Sequence, residues 1–350
     1  MSMADRMRGM PERLDAALKP AGEMARCVTL RVGEAIVFKI LRVGEPIIFK
    51  LVIGLVGALS LAQPAAAQVE PFPSSFQSRE IQTEGVRLHV RVGGQGPVVV
   101  LIHGFGDTGD MWTPLAADLA HDHTVVVPDL RGMGLSSRPD GGYDKRTQAA
   151  DIRSVLIQLG HDHAVIIGHD IGTTVAYAYA ARYPDKTDKL IVMDAPVPGI
   201  PPWDVIVRNP MLWHFDFGGP DMERLVEGRE RIYLDRFWNE FAGDPKKFDE
   251  AKRKHYAELY ARPGGMHAAF AQFLSIRQDV EDNKASVATK LAMPVLAIGA
   301  EKTFGKDMAV IMRNAATDVT EVIIPDSGHW LMEEQPAPTI AAVRTFLSRR

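Results

Sequence analysis

Hydrophobic and polar positions follow two patterns along the chain after about residue 77. Short apolar runs, bounded by glycine, proline or polar residues, predict buried strands at 97–102, 124–128, 165–169, 190–193, 293–298 and 319–324. Segment 86–92 alternates and predicts an early hairpin strand. Helical spacing separates several of these runs, as at 151–159 and 171–183. Strands alternating with helices indicate an α/β fold, with a mainly parallel sheet covered on both faces.

The pattern changes between residues 197 and 288, which contain no buried-strand run. Prolines open this stretch, and helical spacing follows at 222–241, 246–260 and 266–280. Asp244 before Pro245 is typical of a helix start. We therefore expect a helical cap, inserted into a sheet domain whose last helix spans about 336–349. The predicted domains are an N-terminal extension (1–67), the first core part (68–196), the cap (197–288) and the second core part (289–350).

The N-terminal extension has the parts of a secretory signal peptide. Lys50 precedes an apolar run at 51–62, and Ala65-Ala66-Ala67 follows. The run is shorter than the roughly 20 residues that span a membrane. We expect an exported, periplasmic or secreted protein, cleaved after Ala67, with an uncleaved anchor as the alternative. The preceding stretch holds a near-duplication (30–40 and 41–51) and is long for a signal, so translation starting at Met24 is a further hypothesis.

Composition and charge exclude several classes of function. The chain has 350 residues, is 46% hydrophobic and carries a formal net charge of −4, with no basic stripe that would bind nucleic acid. Its single cysteine, Cys27, lies in the N-terminal extension. Disulfides and cysteine-bound metals are therefore excluded from the region that carries the candidate chemistry.

The strand at 165–169 runs into Gly168-His169-Asp170-Ile171-Gly172, a sharp turn before a helix rich in small residues. This is the nucleophile-elbow pattern of the α/β-hydrolases, with Asp170 where serine is usual. A carboxylate here argues against serine ester hydrolysis. It favours attack on a carbon that bears a leaving group, through a covalent alkyl ester. The alternative is that Asp170 merely caps the helix.

Other candidate groups follow strands, at the sheet edge where such folds place their chemistry. His329 follows the last strand and is placed to activate water, while Asp194 follows the strand at 190–193 and can orient the imidazole. Glu301, after the next strand, is a rival for that orienting role. The backbone N–H groups of Phe105 and Ile171 are expected to bind the oxyanion that forms when water attacks the ester.

These motifs give the chain a resemblance, over residues 77–350, to the α/β-hydrolase superfamily, most closely to epoxide hydrolases of the exported Cif type. The resemblance rests on residues 103–106, 169–172, 193–198, 213–215, 260–263 and 328–330. It implies an eight-stranded, mostly parallel sheet flanked by helices, with an inserted cap. It also implies that a cap histidine and a cap tyrosine, here His214 and Tyr260, bind the epoxide oxygen. Asp194 departs from the glutamate usual in Cif-type enzymes.

The choice between an epoxide and a halide substrate depends on the cap and on the residues after Asp170. Haloalkane dehalogenases typically follow the nucleophile with tryptophan, and fluoroacetate dehalogenases with two arginines three residues apart. This chain has Ile171 and Thr174 there, and Phe215 where a halide-binding tryptophan would follow the cap histidine. An alkoxide is a poor leaving group without a proton donor, which a tyrosine can supply.

The sequence therefore predicts an epoxide hydrolase that yields vicinal diols and requires no metal or cofactor. Haloalkane or haloacid dehalogenation with the same residues is the first alternative, and a non-catalytic binding protein is the second. Apolar residues at 203–215 and 266–273 favour a small hydrophobic epoxide, with water as the second substrate. The resemblance also allows a homodimer, and nucleic acid is not expected as a partner.

Overall fold

The structure is a computed structural model that describes residues 69–349. The predicted signal peptide, its cleavage after Ala67, the near-duplication and Cys27 lie outside the described residues. Within 69–349, no helix is both long enough and apolar enough to cross a membrane.

Eight strands form one sheet in the order β1-β2-β4-β3-β5-β6-β7-β8. The strands are β1 (Gln77–Thr83), β2 (Val86–Gly93), β3 (Val98–Ile102), β4 (Thr124–Pro128), β5 (Ala164–His169), β6 (Thr187–Met193), β7 (Val295–Ala300) and β8 (Val319–Ile324). Strand β2 pairs antiparallel with β1 and β4, and all the other pairs are parallel. The predicted eight-stranded, mostly parallel sheet is confirmed.

Helices occupy the connections between the strands. Before the cap they are α1 (Thr113–Leu119), α2 (Lys145–Gln158) and α3 (Ile171–Arg182). Between β6 and β7 they are α4 (Trp203–Ile206), α5 (Pro220–Val226), α6 (Glu230–Glu240), α7 (Glu250–Tyr260), α8 (Gly265–Leu274) and α9 (Ile276–Ser286). After β7 they are α10 (Asp307–Ala315), α11 (Leu331–Glu334) and α12 (Pro336–Leu347).

The central strands are apolar throughout because helices cover both faces of the sheet. In β3, Val98, Val100 and Ile102 pack with residues of α2 and α3, while Val99 and Leu101 pack with residues of α1 and α12. Successive side chains of a strand point to opposite faces, so the run alternates between two cores. This double burial keeps the strand ends, where the candidate residues lie, in fixed positions.

The cap helices are shorter than the sequence pattern predicts. The single helix predicted at 222–241 is two helices, α5 and α6, separated by Gly228 at φ +72°. Asp244 caps only a short 3-10 turn, and α7 begins later with Asp249 as its N-cap, which accepts from the N–H of Lys252. Apolar spacing alone therefore predicts continuous helices in the cap, whereas turn residues divide them into shorter ones.

Candidate active site

The turn after β5 holds Asp170 in a backbone conformation that few non-glycine residues adopt, at φ 53° and ψ −123°. A Cβ at Gly168 would overlap the backbone of Gly172, and a Cβ at Gly172 would overlap the carbonyl of Ile102. Only glycine fits at these two positions, so the Gly-x-Asp-x-Gly pattern follows from the close approach of β3, β5 and α3. The tight turn sets the Asp170 carboxylate at the carboxyl edge of the sheet.

We expect Gly168→Ala to lower the free energy of unfolding by on the order of 3 kcal/mol, because the added methyl group meets backbone that cannot move aside. Urea denaturation measures this directly. Gly141→Ala is the matched control, since a Cβ there meets nothing within 4 Å. Equal midpoints for the two variants would show that the turn tolerates a side chain.

The carboxylate of Asp170 is held at both oxygens. The N–H of Phe105 donates to Oδ1 at 2.7 Å, and Nε2 of His329 lies 3.5 Å from Oδ2. Ile171 is the first residue of α3, so its N–H has no partner within the helix. The N–H of Phe105 thus contacts the carboxyl group of Asp170, while the joint role of Phe105 and Ile171 as oxyanion donors stays a prediction.

Asp194 lies on the other side of His329. Its Oδ2 is 3.0 Å from Nδ1 of the imidazole, and it also accepts from the hydroxyl of Thr303 and the N–H of Ala300. The rival Glu301 is exposed and accepts from the N–H of Asp326 instead. Asp194, and not Glu301, is therefore the carboxylate that orients His329.

The imidazole between two carboxylates is strongly stabilised as a cation. Burial lowers the pKa of His329, but Asp170 and Asp194 outweigh it and raise the pKa to about 10. Burial would raise the pKa of Asp170, yet the hydrogen bond and charge of His329 hold it at about 2. At neutral pH the site therefore rests as a carboxylate–imidazolium pair.

We expect Asp194→Asn to lower kcat by on the order of 10³-fold, because the amide does not hold the imidazole in the orientation and tautomer needed for proton transfer. Glu301→Gln should leave kcat within about twofold, since Glu301 does not contact His329. Steady-state turnover of the two purified variants checks both expectations. The reverse ranking would assign the orienting role to Glu301.

The cap contributes His214, which lies in a 3-10 turn (Pro210–Phe215) and is 5% exposed. Aromatic rings surround its imidazole edge-on, with centroids 5.0 Å from Phe237 and 4.9 Å from Phe273. Burial is the main reason that the pKa of His214 falls to about 4, although the charge of Asp170 opposes it. His214 is thus a neutral imidazole at neutral pH, and it faces the same cavity as Asp170.

Tyr260, the predicted partner of His214, does not reach that cavity. Its hydroxyl accepts from the N–H of Gly106 at 2.8 Å and donates to the carbonyl of Asp107 at 3.2 Å. Its ring packs edge-on against Phe105, with centroids 5.4 Å apart. In this geometry the hydroxyl of Tyr260 bonds to the loop at 106–107 rather than facing the cavity, so its binding of the epoxide oxygen stays a prediction. Tyr260 fixes the loop that carries the N–H of Phe105.

Asp170 lines two adjoining spaces beneath the cap, which share Ala195, Pro196, Phe215 and Phe273. The first space, called the catalytic cavity, also contacts Phe105, Asp194, Leu212, His214, Phe237, Phe241, Phe304, His329 and Trp330. The second, called the side cavity, also contacts Lys145, Ile171, Thr174, Pro198, Trp203, Gln272 and Ile276. The walls are mainly apolar and aromatic, which suits an apolar substrate.

Several contributors to the site were not singled out from the sequence. Phe237 and Phe241 line the catalytic cavity, and their spacing of four residues on the cap was a usable signal. Thr303 binds Asp194, and His169 Nε2 lies 2.7 Å from the backbone carbonyl of His329. Neither contact follows from spacing. In residues 69–349, no group of three or more His, Cys, Asp or Glu is arranged to hold a metal ion.

The family model of the alpha/beta hydrolase fold matches residues 97–336. The chain belongs to the α/β-hydrolase family. The match confirms the predicted fold class and covers both the strand ends and the cap.

Known relatives of this α/β-hydrolase cover most of its length. A soluble epoxide hydrolase of Corynebacterium sp. (strain C12) is 30% identical over 275 residues, spanning 75% of this chain and 94% of the relative. A fluoroacetate dehalogenase of Burkholderia sp. is 26% identical over 290 residues, spanning 78% and 94%. The crystal structure of Cfl2 from Burkholderia cenocepacia has a TM-score of 0.72 and 34% identity, covering 78% of this chain and 96% of that one. Epoxide hydrolases are thus homologues of this chain, and so is a dehalogenase.

Proposed function

We propose that this α/β-hydrolase opens epoxides to vicinal diols. The observation that carries the proposal is the chain of contacts from Phe105 N–H through Asp170 and His329 to Asp194, beneath an apolar cavity. A carboxylate at the elbow forms an ester with a substrate carbon, and an oriented histidine then activates water against that ester. The 30% identity to a soluble epoxide hydrolase supports the same choice of substrate.

In the first step, Oδ2 of Asp170 attacks a ring carbon, because Oδ1 is held by the N–H of Phe105. The ring C–O bond breaks, and a hydroxyalkyl ester forms on Asp170. His214 lies in the roof of the cavity, where it can hold the departing oxygen by a hydrogen bond. The walls around His214 are mainly apolar, so this hydrogen bond is less weakened by competing polar groups than it would be in water.

In the second step, His329 activates water. Once Asp170 is esterified it carries no charge, so Asp194 is the carboxylate that still raises the pKa of His329. The pKa of the imidazole therefore falls, and the neutral imidazole can act as a base. It takes a proton from water, which attacks the carboxyl carbon of Asp170, and the N–H groups of Phe105 and Ile171 stabilise the oxyanion.

Haloalkane dehalogenation is the second candidate, and one observation favours it. No tyrosine lines either space in the described part of the chain, and halide needs no proton to leave. Ile171 and Thr174 provide no charged clamp for a carboxylate, so a haloacid is less suited than a haloalkane.

Turnover of a matched pair of substrates tests the proposal. Styrene oxide and phenethyl bromide share a skeleton, so binding in the apolar cavity is similar and only the leaving group differs. We expect diol from styrene oxide and little bromide from phenethyl bromide. Bromide release without diol would make the protein a dehalogenase, and saturable binding of both without turnover would make it a binding protein.

Export is a separate proposal, and it rests on the N-terminal sequence alone. We propose that the protein is a Cif-type enzyme that reaches the periplasm or medium after cleavage following Ala67. N-terminal sequencing of the protein from a periplasmic extract should then begin at Gln68. Recovery of the uncleaved chain in the membrane fraction would favour the anchor. A homodimer stays a prediction, which sedimentation can check.

A further inference from the structure

Asp107 is a buried carboxyl group that neither step of the proposed reaction uses. It follows Phe105 and Gly106 in the loop after β3, and it is 0% exposed. No group in residues 69–349 donates a hydrogen bond to either of its carboxyl oxygens. A carboxylate that is buried without donors loses its hydration and gains nothing in exchange, which strongly disfavours the charged form. The surroundings of Asp107 therefore favour a neutral carboxylic acid.

The polar group that Asp107 faces is the imidazole of His169, in the turn that carries the nucleophile. Oδ2 of Asp107 lies 3.9 Å from Nδ1 of His169, and that nitrogen has no hydrogen-bond partner in the described part of the chain. The other ring nitrogen, Nε2, lies 2.7 Å from the backbone carbonyl oxygen of His329, which can only accept. Nε2 therefore carries a hydrogen, and Nδ1 of the neutral ring presents a lone pair to Asp107.

Two lone pairs facing each other repel, so the contact between Asp107 and His169 is attractive only if one of the two groups carries a further proton. A proton on His169 would make it a cation, with its ring centroid 4.6 Å from that of His329. His329 already rests as a cation between Asp170 and Asp194. Burial, together with the charge of His329, lowers the pKa of His169 to about 4. The proton therefore belongs to Asp107.

We propose that Asp107 is a neutral carboxylic acid that directs its hydrogen at Nδ1 of His169 and, through His169, positions the main chain of His329. Shortening the O···N distance by about 1 Å gives a hydrogen bond of ordinary length. His169 holds the carbonyl of His329, while the N–H of His329 donates to the carbonyl of Phe241 at 2.8 Å. Asp107 is thus a positioning residue. Its role does not depend on the leaving group, because epoxide and halide chemistry would both use His329.

The charges around Asp107 agree with this assignment. Burial is the main reason that the pKa of Asp107 lies well above its usual range, and the charge of Glu333 raises it further. Glu333 lies in α11, and burial raises its own pKa to about 7. The ionisable groups that surround Asp107 are His169, His329, Asp170, Glu333, Lys252, Tyr256 and Tyr260. The positive charges among them, on His329 and Lys252, do not outweigh burial.

Asp129 provides a matched control, because it is also 0% exposed but is surrounded by donors. Its carboxylate accepts from Arg91 at 3.1 Å and from the N–H groups of Gly109 and Leu135, both at 2.9 Å. An amide there would turn a donor towards donors, so Asp129→Asn should lower the folding equilibrium constant about 10²-fold or more. Asp107→Asn should leave it unchanged or raise it. Equal losses in urea denaturation would show that Asp107 is also an anion.

The pH dependence of unfolding locates the proton on Asp107. An acid whose pKa is raised by folding contributes stability that is fully present below about pH 4 and is lost as pH rises, because unfolding then releases its proton. Between about pH 5 and 7, the folding equilibrium constant of the wild type should fall about tenfold per pH unit relative to Asp107→Asn. A ratio of the two constants that does not change with pH would overturn the proposal.

Turnover of styrene oxide tests the positioning role. Asp107→Asn keeps a donor towards Nδ1 of His169 and should keep kcat within about threefold. Asp107→Leu has a similar size but no donor, so it should lower kcat about tenfold or more. KM should stay within about twofold, because Asp107 does not line the catalytic cavity.

Equal kcat values for the two variants, whether high or low, would overturn the positioning role. If Asp107→Leu does not fold, Asp107→Asn alone decides, since a kcat below about a tenth of the wild-type value would contradict the role. A wild type that consumes no epoxide would overturn the proposed function instead. The unfolding measurements would then still decide whether Asp107 is a neutral acid, because they need no substrate.

Discussion

Asp170→Asn should abolish diol formation, with a loss on the order of 10⁴-fold or more in kcat. The amide keeps the size of the carboxylate and its acceptor for the N–H of Phe105, but it is not a nucleophile towards carbon. The loss should appear in kcat rather than in KM, because the apolar cavity that binds the substrate is unchanged. Steady-state turnover of the purified variant measures it.

The fold should survive this substitution, so the loss of activity can be assigned to chemistry. Asp170→Asn removes one of the two carboxylates that raise the pKa of His329, so the pKa of the imidazole should fall, while Asp194 still holds its Nδ1. Asp140→Asn, at an exposed position, is the control for the general effect of losing one negative charge. An Asp170→Asn enzyme that is folded and retains a tenth of its activity, a rise of only about 1.4 kcal/mol in the activation free energy, would exclude a covalent ester on Asp170.

His329→Gln should stop turnover to a similar extent, for a different reason. His329 is the imidazole that lies next to the Asp170 carboxyl group, so without it the ester on Asp170 should be hydrolysed very slowly. The effect on steady-state turnover, on the order of 10⁴-fold, should exceed the effect on ester formation. Rapid-quench measurement of both steps on one preparation separates them. Equal losses in the two steps would argue against a role of His329 in hydrolysis.

The sheet and the turn at Asp170 could be predicted because they depend on strong local signals. All five residues of β3 are apolar, as expected for a strand that is buried on both faces, and helices do cover both faces of the sheet. Gly168 and Gly172 are required by close backbone contacts, which leave a visible pattern around Asp170. Signals of this kind do not depend on how distant parts of the chain are oriented.

The choice between Asp194 and Glu301 could not be made from the sequence, because both carboxylates follow neighbouring strands. The pairing register of β6 and β7 and the turns that follow decide which one meets His329. The outward course of the loop after β7 exposes Glu301, whereas Asp194 is fully buried. Register and loop course are properties of the folded sheet.

Tyr260 shows where a resemblance in the cap stops being informative. It ends α7, and the direction of its side chain depends on how that helix packs against the loop at 105–107. The same residue type can therefore serve the loop rather than the substrate. The breaks between the cap helices, such as that at Gly228, make such orientations hard to infer from apolar spacing.

The central claim, a covalent ester between Asp170 and an opened epoxide, is tested most directly by intact mass. His329→Gln protein is incubated with styrene oxide or with phenethyl bromide and then weighed. The account predicts a slowly accumulating adduct equal to the whole mass of styrene oxide, which is absent when Asp170→Ser is combined with His329→Gln. An adduct from phenethyl bromide alone, lighter than the reagent by hydrogen bromide, would contradict epoxide opening and identify a dehalogenase.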